Sequence, residues 1–519
     1  MKSSKKGVLT SLLSVTTISL LVAGCGNSTD TAKNSDDAVK KASEPVSLKI
    51  MANYDSPTLT EADQKFIKTL EEKNNVKIQF DIPPMSGYAE KLQLMLASGT
   101  YPDIVFFPDT RDVAFQNAVR DGLLLPVNDY INKLPELKQY TYQSEWDSLK
   151  VKNDDKIYGI PRTSILRNDG YWVRKDWLQN VGITLPGDGL VTKEQFADIL
   201  GKFTFNDPDK NGKNDTYGYA GAVNPQSKVF DPILTGAFGV LGWQEANSGT
   251  YTYMDAKYDT SKTSYKDALA FTAKLYKEGV FDPDSATNDE TKRRERFWRG
   301  MTGVYPGFAA HYTYHLPEIQ KQTPSADLTY IWVKGEDGKA SFNTGSVNST
   351  GIWGFWGITK TAKNPEKAAV LLNSWLTDSM WETVKNGYEG NDYTIKDGQK
   401  VAPATLPTDY VRKNSMRRAN DSSFFIKVGT PKDVVDKITP WLKTSIDTVV
   451  TSKDLGFQPE AARKPIYQDY QKTWDQTIMK IIMGKETVDK FTELQTGWYK
   501  NGGDEYAKQM NDYITSLKK

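Results

Sequence analysis

The sequence predicts an α/β fold built from parallel, doubly wound units, and three observations in the first part of the chain support this. Short segments rich in strand-forming side chains occur at 47–52, 76–80 and 104–107, each bounded by turn-forming residues. The stretches between them place apolar side chains at helical spacing. The resulting strand–helix–strand–helix–strand order is typical of parallel α/β units.

Several of the predicted elements have a recognisable start or end. Thr60 and Asp63 have the spacing of a capping box, so the first helix is expected to begin at this point. Gly99 is expected to end the second helix, because glycine readily adopts the left-handed conformation found at helix C-termini. Further along, 352–358 is predicted to be an apolar strand, and Asn364 is expected to cap the helix that follows. The sequence of the last hundred or so residues predicts mostly helices.

The N-terminus has the layout of a secretory signal followed by a cysteine. Lysines and a mostly apolar stretch over 7–21 precede small residues and Cys25, the only cysteine of the 519-residue chain. Small residues followed directly by cysteine resemble the bacterial lipobox, in which the cysteine becomes the lipidated N-terminus. We predict a lipoprotein signal peptide over 1–24, a palmitate-type lipid on Cys25 and a flexible polar tether over 25–46. The alternative is an ordinary signal peptide with a chance cysteine.

Composition limits the classes of function. The net charge is +1, and it becomes −2 without the first 24 residues, which hold three lysines and no acidic residue. This balance predicts neither nucleic-acid binding nor a basic face for an anionic membrane. No stretch after Cys25 approaches the roughly 20 apolar residues of a membrane span. The predicted location is therefore the extracellular face of the cell membrane, held by the N-terminal lipid alone.

Several strings, in order along the chain, resemble the extracellular solute-binding proteins of ABC importers. They lie at 97–105, 158–178 and 360–369, and the string at 482–485 resembles the larger carbohydrate-type members. The resemblance implies a bilobal, periplasmic-binding-protein-like fold of type II, with two doubly wound α/β lobes joined by hinge crossings. It places lobe 1 at 47–163 and 350–388, and lobe 2 at 164–349 and 389–519.

The same resemblance implies a receptor without enzymatic activity. It would act as a monomer, capture an oligosaccharide between the lobes and deliver it to ABC permease subunits in the membrane. An acidic, uronate-containing sugar is one option for the ligand. The rival interpretation is a secreted glycoside hydrolase or other carbohydrate-active lipoprotein, which would also use an aromatic cleft and paired carboxylates.

Aromatic residues are the main candidates for ligand contacts, since rings cover the apolar faces of sugars and a few polar groups fix the orientation. The chain has 13 tryptophans and 27 tyrosines, most of which are expected to pack in the core. The layout of the resembled family implies cleft positions for Tyr54, Arg162, Trp172, Trp298, Tyr305, Phe308, Trp353, Trp356, Tyr388, Glu389 and Tyr393. The last three resemble a segment at a third crossing between lobes.

A basic run and a histidine pair have two interpretations each. The run over 292–299 is most simply a solvated helix face, and contact with an acidic sugar is the second option. His311 and His315 are one helical turn apart and could share a metal ion. No third ligand is evident from the sequence, so this pair is expected to be structural.

The segment 207–215 matches the first nine positions of an EF-hand loop. Side-chain oxygens at alternate positions, a glycine for the sharp turn and a backbone carbonyl together suit a structural calcium ion; the ligands would be Asp207, Asp209, Asn211, Lys213 and Asp215. The twelfth position is Gly218 instead of the usual glutamate, so the remaining ligands must come from elsewhere or from water. A turn rich in Asp, Asn and Gly without calcium is the alternative.

Overall fold

The computed structural model describes residues 44–150, 155–224, 231–246, 249–339, 350–403, 405–414 and 416–518. The predicted signal peptide, Cys25 and nearly all of the predicted tether lie outside these residues. Within them, no helix is both long and apolar enough to cross a membrane. Residues 45–519 form one compact unit by their backbone contacts.

The described strands are short and fall into two large sheets and two hairpin-like pairs. In chain order they are β1 Val46–Met51, β2 Val76–Asp81, β3 Ile104–Phe107, β4 Ile160–Thr163, β5 Gly170–Arg174, β6 Leu190–Val191, β7 Tyr217–Tyr219, β8 Trp243–Glu245, β9 Tyr253–Asp255, β10 Thr302–Gly307, β11 Leu328–Val333, β12 Ile352–Ile358, β13 Thr394–Lys396 and β14 Gln399–Val401.

Helices cover both sheets and make up most of the C-terminal region. The α-helices are α1 Glu61–Asn74, α2 Tyr88–Ser98, α3 Val113–Arg120, α4 Asn128–Ile131, α5 Pro135–Tyr140, α6 Gln143–Ser148, α7 Lys175–Asn180, α8 Lys193–Phe205, α9 Ser264–Lys277, α10 Glu290–Trp298, α11 Tyr312–Gln320, α12 Pro365–Ser374, α13 Asp378–Asn386, α14 Tyr410–Lys413, α15 Lys432–Asp447, α16 Pro465–Ile482, α17 Lys490–Trp498 and α18 Asp504–Ser516.

The first sheet has the strand order β2-β1-β3-β12-β4. β1 is parallel to β2 and β3, as expected for doubly wound units. β12 is antiparallel to both of its neighbours, β3 and β4. The first sheet is therefore completed by a strand that follows the whole second sheet in the sequence.

The second sheet has the order β6-β11-β5-β10-β7. Its central strand β5 is antiparallel to both β10 and β11, whereas the outer pairs β10–β7 and β11–β6 are parallel. Two five-stranded α/β sheets in one chain agree with the predicted bilobal fold class.

In the first lobe, the helices α1, α2 and α12 begin or end at the residues that the sequence predicts. The Thr60 side chain accepts from the backbone N–H of Asp63, and the Asp63 side chain accepts from the backbone N–H of Thr60, which completes the capping box of α1. Gly99 ends α2 with φ of 76°. Asn364 occupies the N-cap position of α12, but its side chain makes no capping hydrogen bond; the proline that follows, with its fixed φ, serves the helix start instead.

Buried residues form three clusters, one around the first sheet and two around the second. The first cluster combines residues 48–160 with 355–384 and also includes Val411 and Met416. The second and third take residues 165–333 together with the C-terminal helices. The chain thus passes between the cores at three places, after Ile160, after Val333 and after Met416.

The third passage between the cores lies further along the chain than the crossing that the resemblance implies at Tyr388, Glu389 and Tyr393. These residues precede Val411 and Met416, which are still buried in the first core. The exact lobe boundaries predicted from the sequence stay a prediction.

Candidate ligand-binding site

An irregularity in β12 exposes Trp353 beside the buried core of the first lobe. The register of β12 against β4 shifts between Ile352 and Phe355. Gly354 within this shift has φ of +83°, and a Cβ there would lie 2.0 Å from the Phe106 ring, so only glycine fits. Bulges of this kind re-aim side chains, and Trp353 is 48% exposed.

Two arginines pack against this tryptophan. The guanidinium carbon of Arg162, from β4, lies 4.5 Å from the centroids of both Trp353 and Phe106. That of Arg417, which follows α14, lies 4.0 Å from the Trp353 centroid. Arg162 Nε donates to the backbone oxygen of Trp353 (2.8 Å), and its Nη1 donates to the backbone oxygen of Asn414 (3.3 Å). Separate parts of the chain thereby meet at one aromatic ring.

Both guanidinium groups are buried without an ionic partner. Arg162 is 5% exposed and Arg417 is 7% exposed, and neither forms an ion pair with another described residue. Burial lowers the pKa of Arg162 to about 10. Burial and the positive charges of Arg162 and Arg167 also lower the pKa of Arg417. The two side chains therefore add positive charge to a poorly solvated region.

The same contacts continue to the second lobe. Arg417 lies 5.7 Å from the Phe425 ring, and Phe425 meets Phe308 edge to face at 5.1 Å. Phe308 in turn lies 4.1 Å from the Arg167 guanidinium and 5.3 Å from the His311 ring. We call this group, made of Arg162, Arg167, Phe308, His311, Trp353, Arg417 and Phe425, the arginine–aromatic site.

On the second-lobe side of the site, His311 lies near several positive charges. Desolvation by the surrounding protein lowers the pKa of His311 to about 4, with further contributions from the positive charges of Arg167, Lys427 and Arg294. His311 is therefore neutral at physiological pH. Arg167 has its own partner, Asp169, at 2.8 Å.

Two further polar groups of the first lobe are buried without a hydrogen-bond partner among the described residues. They are Asn53 Oδ1 and the Tyr54 hydroxyl, directly after β1. Burial raises the pKa of Tyr54, and the charge of Arg162 opposes that shift. In open α/β sheets, ligands bind at the carboxyl ends of strands, so unsatisfied groups at the end of β1 fit a ligand-binding position.

Two of the predicted ligand-binding tryptophans lie in the cores. Trp172 is fully buried and packs edge to face with Tyr330 (4.8 Å) and Trp441 (5.6 Å). Trp356 is also fully buried and packs on Phe106 at 4.9 Å. Their indole nitrogens have no partner among the described residues. In this structure both support the site from within the core; a direct contact with ligand stays a prediction.

Trp298 and Tyr305 are held together by His315. Trp298 Nε1 donates to His315 Nδ1 (2.9 Å), and the Tyr305 ring lies 5.0 Å from the His315 ring. The Tyr305 hydroxyl donates to Glu290. His315 is thus a structural partner in this cluster, and His311 and His315 belong to no group of three metal-ligating side chains among the described residues.

Tyr388, Glu389 and Tyr393 lie in a separate loop of the first lobe. The Tyr388 hydroxyl is 2.6 Å from Thr69 Oγ1 on α1, and Lys65 Nζ is 4.4 Å from the Tyr388 ring. Glu389 is exposed and forms a β-bridge with Tyr393. None of these described contacts reaches the arginine–aromatic site.

The basic run is largely occupied by internal partners. Arg296 pairs with Asp282 (2.7 Å) and with Asp284, and Arg293 pairs with Glu290. Arg294 lies over the Trp298 ring at 5.2 Å. The run is therefore not simply a solvated helix face, because the side chains of Arg293 and Arg296 are only 19% exposed, and these internal pairs leave it less suited to binding an acidic sugar.

The EF-hand-like loop brings its predicted side chains close together. Asp207 accepts from the backbone N–H groups of Asn211 and Gly212, each at 3.0 Å. The Asn211 amide nitrogen donates to Asp209 Oδ2 (2.8 Å) and to Asp215 Oδ1 (3.1 Å). Burial and the neighbouring carboxylates raise the pKa of Asp209.

The side-chain oxygens of this loop are near one another, but they are not arranged as the ligands of a preformed metal site. No group of three acidic, histidine or cysteine side chains among the described residues is arranged to hold a metal ion. An amide N–H₂ group lies between two of the loop's carboxylates, where a cation could replace it.

A buried hydrogen-bonded cluster joins the three passages between the cores. Glu145 accepts from the backbone N–H of Tyr142 (2.7 Å) and from the Thr163 hydroxyl at the first passage (3.0 Å). Ser144 donates to the Thr350 backbone oxygen at the second (2.8 Å). The Tyr142 hydroxyl donates to the Ala419 backbone oxygen at the third (3.1 Å). We call this group the hinge cluster.

The described residues also form a cavity of about 690 Å³ elsewhere in the second lobe. Its lining comes mainly from α16 and nearby segments and includes Lys257, Tyr467, Asp475 and Tyr506. None of the predicted ligand-binding residues lines it. The combination of both lobes, exposed aromatic surface and unpaired cations favours the arginine–aromatic site instead.

Sequence reasoning missed Arg167, Arg417 and Phe425. Arg417 and Phe425 follow the segment predicted as the third crossing and match none of the strings used to assign the family. A pair of arginines shortly before two adjacent phenylalanines was the available signal, but such a pair alone also fits a solvated surface.

Comparison with known proteins places the chain in a family. The model of the bacterial extracellular solute-binding protein family matches residues 56–380. The chain is 27% identical to "Lipoprotein LipO" of Bacillus subtilis strain 168, covering 96% of this chain and 97% of LipO. It is 23% identical to the "Polygalacturonan/rhamnogalacturonan-binding protein YtcQ" of the same strain, covering 87% and 88% of the two chains.

A similar solved structure is that of the Streptococcus pneumoniae ABC-transporter substrate-binding protein FusA in complex with kestose. It has a TM-score of 0.64 at 21% identity and covers 91% of this chain and 99% of FusA. A FusA structure described as an EF-hand mutant has a TM-score of 0.63 at 19% identity, with coverage of 91% and 99%. These likenesses show the bilobal solute-binding-protein fold.

The hinge cluster predicts a pH-dependent stability. Burial raises the pKa of Glu145 to about 8, whereas an unfolded glutamate titrates near 4.3. Between these values the folded state holds one more proton than the unfolded state, so stability falls as pH rises from about 4.3 to about 8. We expect Glu145→Gln, which cannot ionise, to remove this loss and to be more stable than wild type by about 2–4 kcal/mol at pH 8.

Urea unfolding of both proteins at pH 5, 6.5 and 8 measures this difference. Glu72→Gln, at a glutamate whose side chain is 67% exposed, is the matched control and should follow the wild-type pH profile. Parallel profiles for wild type and Glu145→Gln would show that Glu145 is ionised in the fold.

Proposed function

The chain belongs to the family of bacterial extracellular solute-binding proteins, and from this premise we propose that it captures an oligosaccharide between its two lobes and delivers it to an ABC import permease. The single observation that supports this most is the arginine–aromatic site. It joins exposed Trp353 on the first lobe to Phe308 on the second through Arg417 and Phe425. A ligand contacting both sides favours the closed arrangement of the lobes.

The names of similar proteins support a carbohydrate ligand. YtcQ is named as binding polygalacturonan and rhamnogalacturonan, and the FusA structure holds kestose. An apolar ring with nearby hydrogen-bond donors fits sugars, whose C–H faces pack on aromatic rings while hydroxyls accept from arginine. The glycoside hydrolase alternative gains no support from these names.

Binding without turnover tests the proposal. We expect a panel of plant and microbial oligosaccharides to include at least one that raises the melting temperature of the purified protein, since a ligand of the folded state stabilises it. Trp353→Ala should weaken binding of that sugar about tenfold or more through loss of the ring. Phe205→Ala, at a ring that is 57% exposed at the end of α8, is the control and should leave binding unchanged.

Chromatography of the sugar after incubation distinguishes the alternatives. An unchanged sugar agrees with a receptor, whereas shortened products would identify a hydrolase. Absence of any melting shift across the panel would contradict the oligosaccharide proposal.

We also propose a structural calcium ion in the loop 207–215. The loop already places Asp209 and Asp215 around one amide group, and a FusA structure is described as an EF-hand mutant. Asp207, Asp209, Asn211 and Asp215 would supply side-chain oxygens and Lys213 its backbone carbonyl. A bound ion would supply fixed positive charge and tie α8 to β7.

Calcium removal checks this proposal. After treatment with a chelator, added calcium should give heat in isothermal titration and raise the melting temperature, and Asp209→Asn should strongly reduce both responses. Asp121→Asn, an exposed aspartate outside the loop, should respond as wild type does. A wild-type protein that takes up no calcium would leave the loop as a hydrogen-bonded turn.

We propose that lipid on Cys25 holds the protein at the cell surface as a monomer close to its permease. The family is extracellular and LipO is named a lipoprotein, which supports export and anchoring. The lipid and the predicted tether would confine the receptor near the membrane while its lobes close on ligand.

Changing the cysteine separates the anchor from binding. Cys25→Ala should move the protein from the membrane fraction to the medium, with sugar affinity unchanged, because the described lobes do not include this residue. Fractionation followed by immunoblotting measures the distribution, and Ser28→Ala just beyond the predicted lipobox is the control. Retention of the Cys25→Ala protein in the membrane fraction would refute the lipid anchor.

A further inference from the structure

The arginine–aromatic site contains more buried positive charge than its surroundings neutralise. Arg162 and Arg417 are 5% and 7% exposed, and no carboxylate among the described residues lies within ion-pair distance of either. Arg417 Nη2 donates to the Lys413 backbone oxygen (3.0 Å), but its buried Nε has no partner in the described part of the chain. An N–H donor therefore remains unused.

Ring contacts do not compensate for this burial. Arg417 packs on Trp353 at 4.0 Å and on Phe424 at 5.1 Å. A cation–π contact stabilises a buried cation by less than the effective cost of removing that cation from water. Arginine also does not deprotonate in proteins. No carboxylate among the described residues offsets the remaining cost, and an anion bound from outside would offset it.

Other arginines of this chain show what a satisfied partner looks like. Arg174 is 1% exposed and pairs with Asp176 at 2.5 Å, although its Nη1 has no hydrogen-bond partner among the described residues. Arg412 pairs with Asp392 at 2.9 Å and with Asp409 at 2.6 Å. Arg162 and Arg417 are buried without such a carboxylate among the described residues, a lack that they share with the less buried Arg294 over the Trp298 ring.

We propose that Arg162 and Arg417 bind a carboxylate carried by the sugar, so that the ligand is an acidic oligosaccharide with a uronate positioned against Trp353. This inference rests on the proposed oligosaccharide-binding function and specifies its ligand class. A guanidinium group matches the geometry of a carboxylate and forms strong charge-assisted hydrogen bonds with it. The exposed Trp353 ring covers the adjacent C–H face of the sugar.

The partners of the second lobe agree with this assignment. Arg167 is coupled electrostatically to Arg417, and His311 experiences Arg167, Lys427 and Arg294 without a neighbouring carboxylate that would raise its pKa. A carboxylate in the site would meet the charges of Arg162 and Arg417, while Arg167 keeps its own partner, Asp169. Binding of an acidic sugar would therefore gain electrostatic free energy that a neutral sugar does not supply.

The test compares one sugar in two charge states. Oligogalacturonates and their fully methyl-esterified forms have the same ring stereochemistry but differ in charge. We expect the purified protein to bind the acid at least about 30-fold more tightly than the ester by isothermal titration, since a buried charge pair that is left incomplete is strongly unfavourable. Oligomers of mannuronate and guluronate, with their esters, provide the second acidic series.

The variant Arg417→Gln tests whether the preference for the acid over the ester arises at the arginine–aromatic site. It should reduce the preference for acid over ester by about tenfold or more while changing the affinity for the ester less than threefold. Arg120→Gln removes the same charge at an arginine whose side chain is 66% exposed and should keep the wild-type preference. The variant should fold, because it removes a buried unpaired charge, and its ligand-free melting temperature should be equal to or above that of wild type.

The outcomes separate this inference from the proposed function. Equal binding of acid and ester, or binding of neutral sugars only, would overturn the anionic ligand while leaving an oligosaccharide receptor. Loss of melting temperature in ligand-free Arg417→Gln with an unchanged preference would make Arg417 a structural residue and also overturn it. Failure of every acidic and neutral sugar to bind would refute the oligosaccharide function itself.

Discussion

Completion of the first sheet by β12 is the constraint on which the rest of the molecule depends. β12 lies between β3 and β4 and pairs with both, yet it follows the whole second sheet in the chain. The polypeptide must therefore leave the first core, build the second sheet and return. A further departure toward α15 makes three passages, and these bring α6, Thr163, Thr350 and Ala419 into one hydrogen-bonded cluster. The position of a ligand site beside these passages follows from this topology.

The bulge in β12 connects this architecture with binding. Gly354 has a positive φ and no space for a Cβ beside Phe106, and this local conformation leaves Trp353 exposed next to fully buried Phe355 and Trp356. Arg162 is fixed by the backbone of the same bulge through Trp353. A sugar that packs on this ring would therefore contact a side chain supported by a strand paired on both sides instead of a loose loop, which favours a preorganised site.

The sequence predicted local structure and fold class better than the site. The capping box at Thr60, the helix end at Gly99 and the strand at 352–358 depend on residues that are close in sequence, and the structure contains all three. Burial of individual tryptophans depends on contacts between distant segments, as with Trp172, Tyr330 and Trp441. Arg417 approaches Trp353 only because the C-terminal part of the first core folds back over β12. No local pattern around residue 417 contains that information.

Glu145 and Arg417 show two different answers to the same physical problem. Each is a buried ionisable side chain near the passages between the cores, and each has one side-chain atom without a hydrogen-bond partner among the described residues. A carboxyl group can remain protonated, and burial raises the pKa of Glu145 to about 8, so the hinge cluster is neutral at physiological pH without any external partner. A guanidinium group keeps its charge. No carboxylate in the described part of the chain compensates that of Arg417, and a site that is incomplete in this way would gain free energy if an anion entered it. The hinge cluster is thus neutral through its own protonation, whereas the arginine–aromatic site carries charge that, in our proposal, a ligand with a complementary charge neutralises.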